Sequence, residues 1–334
     1  MLRFFFVVLA AALHAKTVYF TPIGGLDMNK LFYEPYSYRD ECSKPFCVLR
    51  EALEAAGYKV KFSLYGEDLE DFTAFISLTE DNDTLLQNLS KVPRARCFLH
   101  MFESPIILPS LYRKSLSEYF GKIYVLNSDL VDNVNRFQMY YVQPRMELIE
   151  PVVDFAQKKL CAMMSGNKDS MNPKSLYRER KQVIQFFARS YPKEFDLYGP
   201  GWEVDRTAAP CWKGFAVSKW DTLKNYRFSF CYENAKDQRG YITEKIFDSM
   251  IAGCVPIYWG AEDIGKFVPG ECFIDRRQFS TTRDLYRFLK TMSRETYENY
   301  IEAIRKYFKT PRAKFFSIEH FVQTILKDIK EADQ

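Results

Sequence analysis

At 334 residues, with 47% hydrophobic and 27% charged side chains, the chain has the make-up of a soluble globular protein large enough for two ordinary cores. A formal net charge of +4, with no basic run or Arg-rich stripe, argues against a nucleic-acid partner and leaves room for a locally basic cleft around an anionic ligand. The eight cysteines include no Cys-x-x-Cys pair and the three histidines (His14, His100, His320) are far apart, so no zinc site is expected; Cys42 and Cys47 are spaced for a local disulfide in an oxidising compartment.

In chain order, residues 1–15 begin Met1-Leu2-Arg3 and continue as an apolar run over 4–13, of signal-peptide length and short for a bilayer span. Three readings stay open for it: a cleaved signal, an anchor, or an extension ahead of the first strand. Weak membrane association through 4–13 is the expectation, at the cytoplasmic face in a bacterium or in the secretory lumen of a eukaryote. The pattern then predicts a strand over 16–21, a turn at Gly24 and Gly25, an amphipathic helix over 46–56 stopped by Gly57, and strands over 58–64, 74–78, 96–102 and 122–126. Asp81-Asn82-Asp83 has an Asp-x-Asp look but no matching context, and is read as a solvated loop. Residues 138–154, with Pro144 and Pro151 in mixed composition, mark a boundary between an N-terminal domain over 16–150 and a C-terminal domain over 151–330.

Beyond the boundary an apolar run over 160–164 leads into Ser165-Gly166-Asn167. A helix over 175–189 follows, then a strand over 195–198 entering Gly199-Pro200-Gly201-Trp202. The densest stretch comes next. Residues 228–232 suit a buried strand, 233–240 a polar loop, 243–252 a helix with Ile246, Phe247, Met250 and Ile251 on one face, and 255–259 a second buried strand. A short strand over 272–274 and helices to the C-terminus complete the chain. Alternating strands and helices in both halves predict an α/β protein with parallel sheets. A loop that leaves a strand and opens a helix is where such proteins hold phosphates and sugars. Here it carries Asn234, Tyr241, Thr243, Glu244 and Lys245.

The segments Tyr232-Glu233-Asn234, Tyr241-Ile242-Thr243-Glu244-Lys245 and Gly253-Cys254-Val255-Pro256-Ile257-Tyr258-Trp259-Gly260, in this order, resemble the donor motif of the α-1,3/1,4-fucosyltransferases, glycosyltransferase family 10. The resemblance is densest over 160–275. It implies a GT-B fold, two Rossmann-like domains facing a cleft, with the acceptor side in 16–150 and the GDP-sugar side in 151–330. It also implies inverting transfer of fucose from GDP-fucose to O3 or O4 of GlcNAc or glucose in an acceptor glycan, with no cofactor and no metal ion. A related transferase using another nucleotide sugar, and a catalytically silent glycan- or nucleotide-binding protein, are the alternatives.

Such transfer needs a base for the acceptor hydroxyl and positive charge for the departing diphosphate. Glu103 sits at the carboxyl end of a strand, in Met101-Phe102-Glu103-Ser104-Pro105, which is similar to the family's Glu-Ser-Pro segment; the resemblance makes it the base. Arg180 matches the family's diphosphate-binding Arg, with Arg178 as the alternative register. Lys245 stands in the first turn of a helix, where a cation is disfavoured by the dipole unless an anion is near. Glu244 beside it suits sugar hydroxyls or developing positive charge, and counts with Glu103 as catalytic. Asn234, Tyr241, Thr243, Ser165 and Asn167 complete the expected donor site.

Overall fold

This computed structural model describes residues 16–23, 26–67, 69, 71–78, 83–205, 208 and 210–334. The apolar segment 1–15, the Gly24-Gly25 turn, and Asp81 and Asn82 of the Asp-x-Asp stretch lie outside those residues. Among the described residues no helix is long and apolar enough to cross a membrane.

The first half runs β1 (Thr17–Phe20), α1 (Met28–Tyr33), α2 (Lys44–Ala55), β2 (Lys59–Phe62), β3 (Ala74–Ser77), α3 (Asp83–Leu89), β4 (Cys97–His100), β5 (Lys122–Val125) and β6 (Arg136–Gln138). The strands form one sheet in the order β2-β1-β3-β4-β5-β6, parallel throughout. Successive side chains point to opposite faces, and both faces are covered. Val18, Phe20, Ala74, Ile76, Phe98 and Tyr124 share one apolar cluster, while Tyr19, Phe75, Cys97, Leu99, Ile123 and Val125 share the other. Burial on both faces is why these strands read as unbroken apolar runs. Edge strand β2 departs from this: its exposed Lys59 and Lys61 guard the open backbone. The sequence reading missed α1, α3 and β6. Two are helices of six and seven residues, and β6 is three half-exposed residues running into the expected linker.

The second half runs β7 (Lys159–Met164), α4 (Tyr177–Ser190), β8 (Phe195–Tyr198), α5 (Lys219–Leu223), β9 (Tyr226–Tyr232), α6 (Glu244–Ile251), β10 (Val255–Trp259), β11 (Ile274–Asp275), α7 (Thr282–Thr291), α8 (Arg294–Tyr307), α9 (Pro311–Lys314) and α10 (Ile318–Ala332). Its parallel sheet has the order β11-β10-β9-β7-β8. Counted within its own half, this is 2-1-3-4-5, the order that the first sheet also begins with. In each half the strand order reverses between the first and third strands, and that switch point is where an open α/β sheet offers a crevice at its carboxyl ends.

Segments of each half enter the other. Helix α10 returns to the first: Phe321, Val322, Ile325 and Ile329 enter the core that holds Val18 and Phe98, and Lys122 pairs with Asp328 at 2.7 Å. In the other direction Ala235 and Tyr241, from the loop after β9, are buried in that same first-half core. All eight cysteines are free thiols. Cys42 and Cys47 do not pair, because Cys47 faces inward from α2, its Sγ 3.5 Å from the Leu31 carbonyl.

Candidate active site

The switch point of the second sheet lies between the ends of β7 and β9, and Arg180 occupies it. In α4 the apolar positions Tyr177, Val183, Ile184 and Phe187 are buried, and Arg180 falls on their face by helical spacing. It is 6% exposed, whereas Arg178 is exposed. Its Nη2 donates to the Tyr232 carbonyl at 2.6 Å and to Asn234 Oδ1 at 3.0 Å, and its Nη1 to Ser165 Oγ at 3.4 Å. All three acceptors are neutral, and among the described residues no carboxylate lies within ion-pair distance. Burial pulls the guanidinium below its usual pKa. A buried cation held only by neutral acceptors is costly, and an incoming anion would relieve that cost.

Asn234 carries the contact across to the first half. Its Nδ2 donates to Glu103 Oε2 at 3.2 Å, while Tyr241 Oη donates to Glu103 Oε1 at 2.6 Å. Oε1 is also 3.3 Å from the Ser104 amide and 3.5 Å from Asn234 Nδ2, so Oε2 is the less engaged oxygen. The Glu103 carbonyl accepts from Tyr112 Oη at 2.5 Å. One side-chain chain thus joins Arg180, Asn234, Glu103 and Tyr241, drawn from α4, the loop after β9 and the loop after β4.

A second cluster surrounds the start of α6. Glu233, fully buried, accepts from the Thr243 amide at 2.8 Å and from Thr243 Oγ1 at 2.6 Å. Thr243 is the N-cap of α6, but its hydroxyl serves Glu233 and makes no capping bond. Lys245 Nζ donates to Thr243 Oγ1 at 2.9 Å and lies 3.4 Å from Glu233 and 3.5 Å from Glu244. Lys219 Nζ contacts Asp248 at 2.6 Å and Glu244 at 3.7 Å. Burial pushes the Glu244 carboxyl up, but Lys245 and Lys219 outweigh it and hold the carboxyl at about 2. Burial lowers Lys245, and Glu244 and Glu233 more than reverse this, so its pKa is raised and it stays charged. Glu233 is displaced upward by burial against the pull of Lys245.

Sequence reasoning passed over Glu233, Lys219 and Asp248. Glu233 was quoted only as part of a motif, and the signal that could have found it is Gly260. A Cβ there would stand 2.4 Å from Glu233 Cγ, so that position admits no side chain beside the carboxylate.

A cavity of about 190 Å³ opens beside the second cluster and reaches the first through Ser165; it is lined among others by Ser165, Gly199, Lys219, Glu244 and Lys245. Arg180 lies behind Ser165 and does not line it. The mouth depends on close approach of two loops. Gly199 has φ 135°, and a Cβ on it would fall 2.3 Å from the Ser165 carbonyl oxygen. Asn167 serves this loop pairing, its Nδ2 donating to the Gly201 carbonyl at 2.9 Å, and stands apart from the Arg180 chain.

Residues 155–328 match the family model described as glycosyltransferase family 10 (fucosyltransferase), C-terminal part. The chain is 31% identical over 120 residues to the α-(1,3)-fucosyltransferase FucT of Helicobacter pylori, covering 33% of this chain and 25% of that protein. It is 34% identical over 82 residues to human α-(1,3)-fucosyltransferase 7, covering 24% of each. These alignments take in about a quarter of either relative's length. Among solved structures, the crystal structure of an α1,3-fucosyltransferase matches with TM-score 0.57 at 14% identity, over 97% of this chain and 93% of that one. The DNA-modifying β-glucosyltransferase matches with TM-score 0.58 at 15% identity, over 94% and 99%. At such identities the likeness is one of fold, the paired sheets of the GT-B class.

Proposed function

This chain belongs to glycosyltransferase family 10, the fucosyltransferases, and on that premise we propose that it transfers fucose from GDP-fucose to a hydroxyl of an acceptor glycan, O3 or O4 of GlcNAc or glucose, with inversion. The observation that carries the reading is the buried Arg180, bonded to three neutral acceptors at a switch point and linked through Asn234 to a carboxylate of the opposite half. On this reading Arg180 supplies the anion site and Glu103 the base, joined through Asn234.

In the proposed step the acceptor oxygen attacks C1 of fucose as the C1–O bond to the diphosphate breaks. The acceptor proton passes to Glu103, whose Oε2 is the freer oxygen. Asn234 and Tyr241 hold the carboxylate in place. Arg180 and Lys245 take up the charge of the departing GDP. Lys245 and Lys219 hold the Glu244 carboxyl at about 2, so it is ionised near neutral pH. It therefore acts as a fixed negative charge and hydrogen-bond acceptor for the sugar, and takes no part in proton transfer. Thr243 and Glu233 position Lys245, and Ser165 borders the phosphate end.

The test is turnover of GDP-fucose against GDP-mannose and UDP-sugars on acceptors ending in GlcNAc or glucose, with and without EDTA. Turnover with GDP-fucose that persists in EDTA is expected. Preference for another nucleotide sugar would favour the related-transferase reading, and donor binding without turnover would favour the silent binder. Loss in EDTA restored by manganese would move the charge of the diphosphate to a metal ion.

A further inference from the structure

The segment before α2 carries Arg39 out of the first half and onto the cavity of the second. Arg39 lines that cavity with Lys219, Lys245 and Glu244, and its Nη1 donates to the Ala216 carbonyl at 3.3 Å. The next residue, Asp40, is seated on α5: its carboxylate accepts from Ser218 Oγ at 2.7 Å, the Lys219 amide at 3.0 Å and the Trp220 amide at 3.4 Å. Glu41 is tied by Lys44 at 2.8 Å and Arg145 at 3.2 Å, and the Arg145 guanidinium lies over the Trp220 ring at 5.7 Å. Both Asp40 and Glu41 have φ 56°, a left-handed conformation uncommon for residues other than Gly, and rarer for Glu than for Asp. Such backbone persists where surrounding contacts over-determine it, and it clusters at ligand clamps.

Charge gives the clamp a purpose. Lys219 is paired with Asp248 at 2.6 Å, and Lys245 with Glu233 and Glu244. Among the described residues Arg39 has only Asp40 as an ion-pair partner, at the 4.0 Å limit, and Asp40 is already committed to α5. One of its five N–H donors is used on Ala216. Glu244 and Asp248 line the same cavity and offset two of its three cations, so the lining keeps an excess of positive charge that an incoming anion would offset.

We propose that Arg39 binds the diphosphate of the nucleotide sugar, delivered across the cleft by the Asp40 latch, so that the first half takes part in holding the donor. The proposal rests on the donor-site reading above. In calorimetry on the full chain, Arg39→Ala is expected to weaken GDP binding about tenfold, the loss of one charged contact. Its affinity for guanosine, read by ligand-observed NMR, and its melting temperature without ligand should stay unchanged. Asp40→Ala should weaken GDP in the same direction, and the double variant should be no weaker than Arg39→Ala, because the two act as one device. GDP affinity unchanged in Arg39→Ala but lost in Arg180→Ala would overturn the role of Arg39 alone. Unchanged affinity in both variants would overturn the donor site as well. Equal loss of GDP and guanosine in Arg39→Ala would make Arg39 a support of the loop, and would also overturn the proposal.

Discussion

The two halves begin from the same strand order and end with opposite contents at the switch point. In the first sheet the ends of β1 and β3 are sewn together: the Thr21 amide donates to the Ile76 carbonyl at 3.1 Å, and Thr21 Oγ1 accepts from the Leu78 amide at 2.9 Å. In the second sheet the same place is occupied by Arg180, which bonds to both strand ends and to the loop beyond. The first half carries Glu103, the proposed base, on the loop after the next strand, β4. The lesson is that strand order offers a crevice and the side chains decide whether it is closed locally or left charged for a ligand. On the proposed reading the second half holds most of the donor, and the first half supplies the base and Arg39.

Glu103→Gln breaks the comparison at its strongest point. The amide cannot take the acceptor proton, and transfer should fall at least about a hundredfold with donor affinity kept. Near-normal turnover beside normal GDP-fucose binding would remove Glu103 as the base.

Arg180→Ala and Lys245→Ala probe the opposite wall. Each should lower donor affinity by about 1.5–3 kcal/mol in calorimetry, while Arg178→Ala, on the exposed face of α4, should bind nearly as wild type. Lys245→Ala should also lower the melting temperature, because it strips the fully buried Glu233 of its cation. A larger affinity loss in Arg178→Ala would mean that the anion sits on the other face of α4.

Acid should find the first half before the second. His100, buried at the end of β4, stacks on Tyr124 at 4.5 Å with its Nδ1 unpartnered among the described residues. Burial holds its pKa at about 3, against about 6.5 in an unfolded chain. As pH falls below 6.5 the unfolded state takes the proton first, so this group's stability is whole above that pH and is lost progressively toward 3. Between pH 7 and pH 5, urea unfolding should therefore show about 2 kcal/mol more loss in the wild type than in His100→Phe. Equal losses would mean that His100 is not a buried neutral group.

The smallest effect expected is at the bridge. Tyr241→Phe removes the 2.6 Å bond to Glu103 and keeps the ring in the first-half core. The loss should be about 1 kcal/mol in turnover with GDP affinity unchanged. A loss confined to affinity would place Tyr241 on the donor wall alone.

Much of this was legible in the residues themselves. The buried parallel strands stand out because covering both faces demands apolar runs, and α4 and α6 because their buried faces repeat at helical spacing. Why Gly199 and Gly260 are glycines was not legible: only the structure brings the Ser165 carbonyl and the Glu233 methylene within 2.3 and 2.4 Å of where a Cβ would stand. The short α1 and β6 escaped because so few residues carry no period. The return of α10 to the first half was hidden for another reason. An amphipathic helix states that it needs an apolar partner and does not say which, and here Phe321 meets Phe46, 275 positions earlier, with ring centroids 5.8 Å apart.

The sequence by itself determined two α/β halves, the loop in which Asn234, Tyr241 and Lys245 sit, and the face of α4 that Arg180 shares with Val183 and Ile184. These are local: they follow from periods and turn chemistry within a few residues. Only the tertiary structure decided that Asn234 joins Arg180 to Glu103, that Glu233 lies fully buried beneath Thr243 and Lys245, and that Asp40 seats Arg39 against the far wall of the cleft. Those contacts link residues up to 180 positions apart. They form because burying a charge obliges it to find partners, and which partners are in reach is set by the packing of the two sheets and not by the order of the chain.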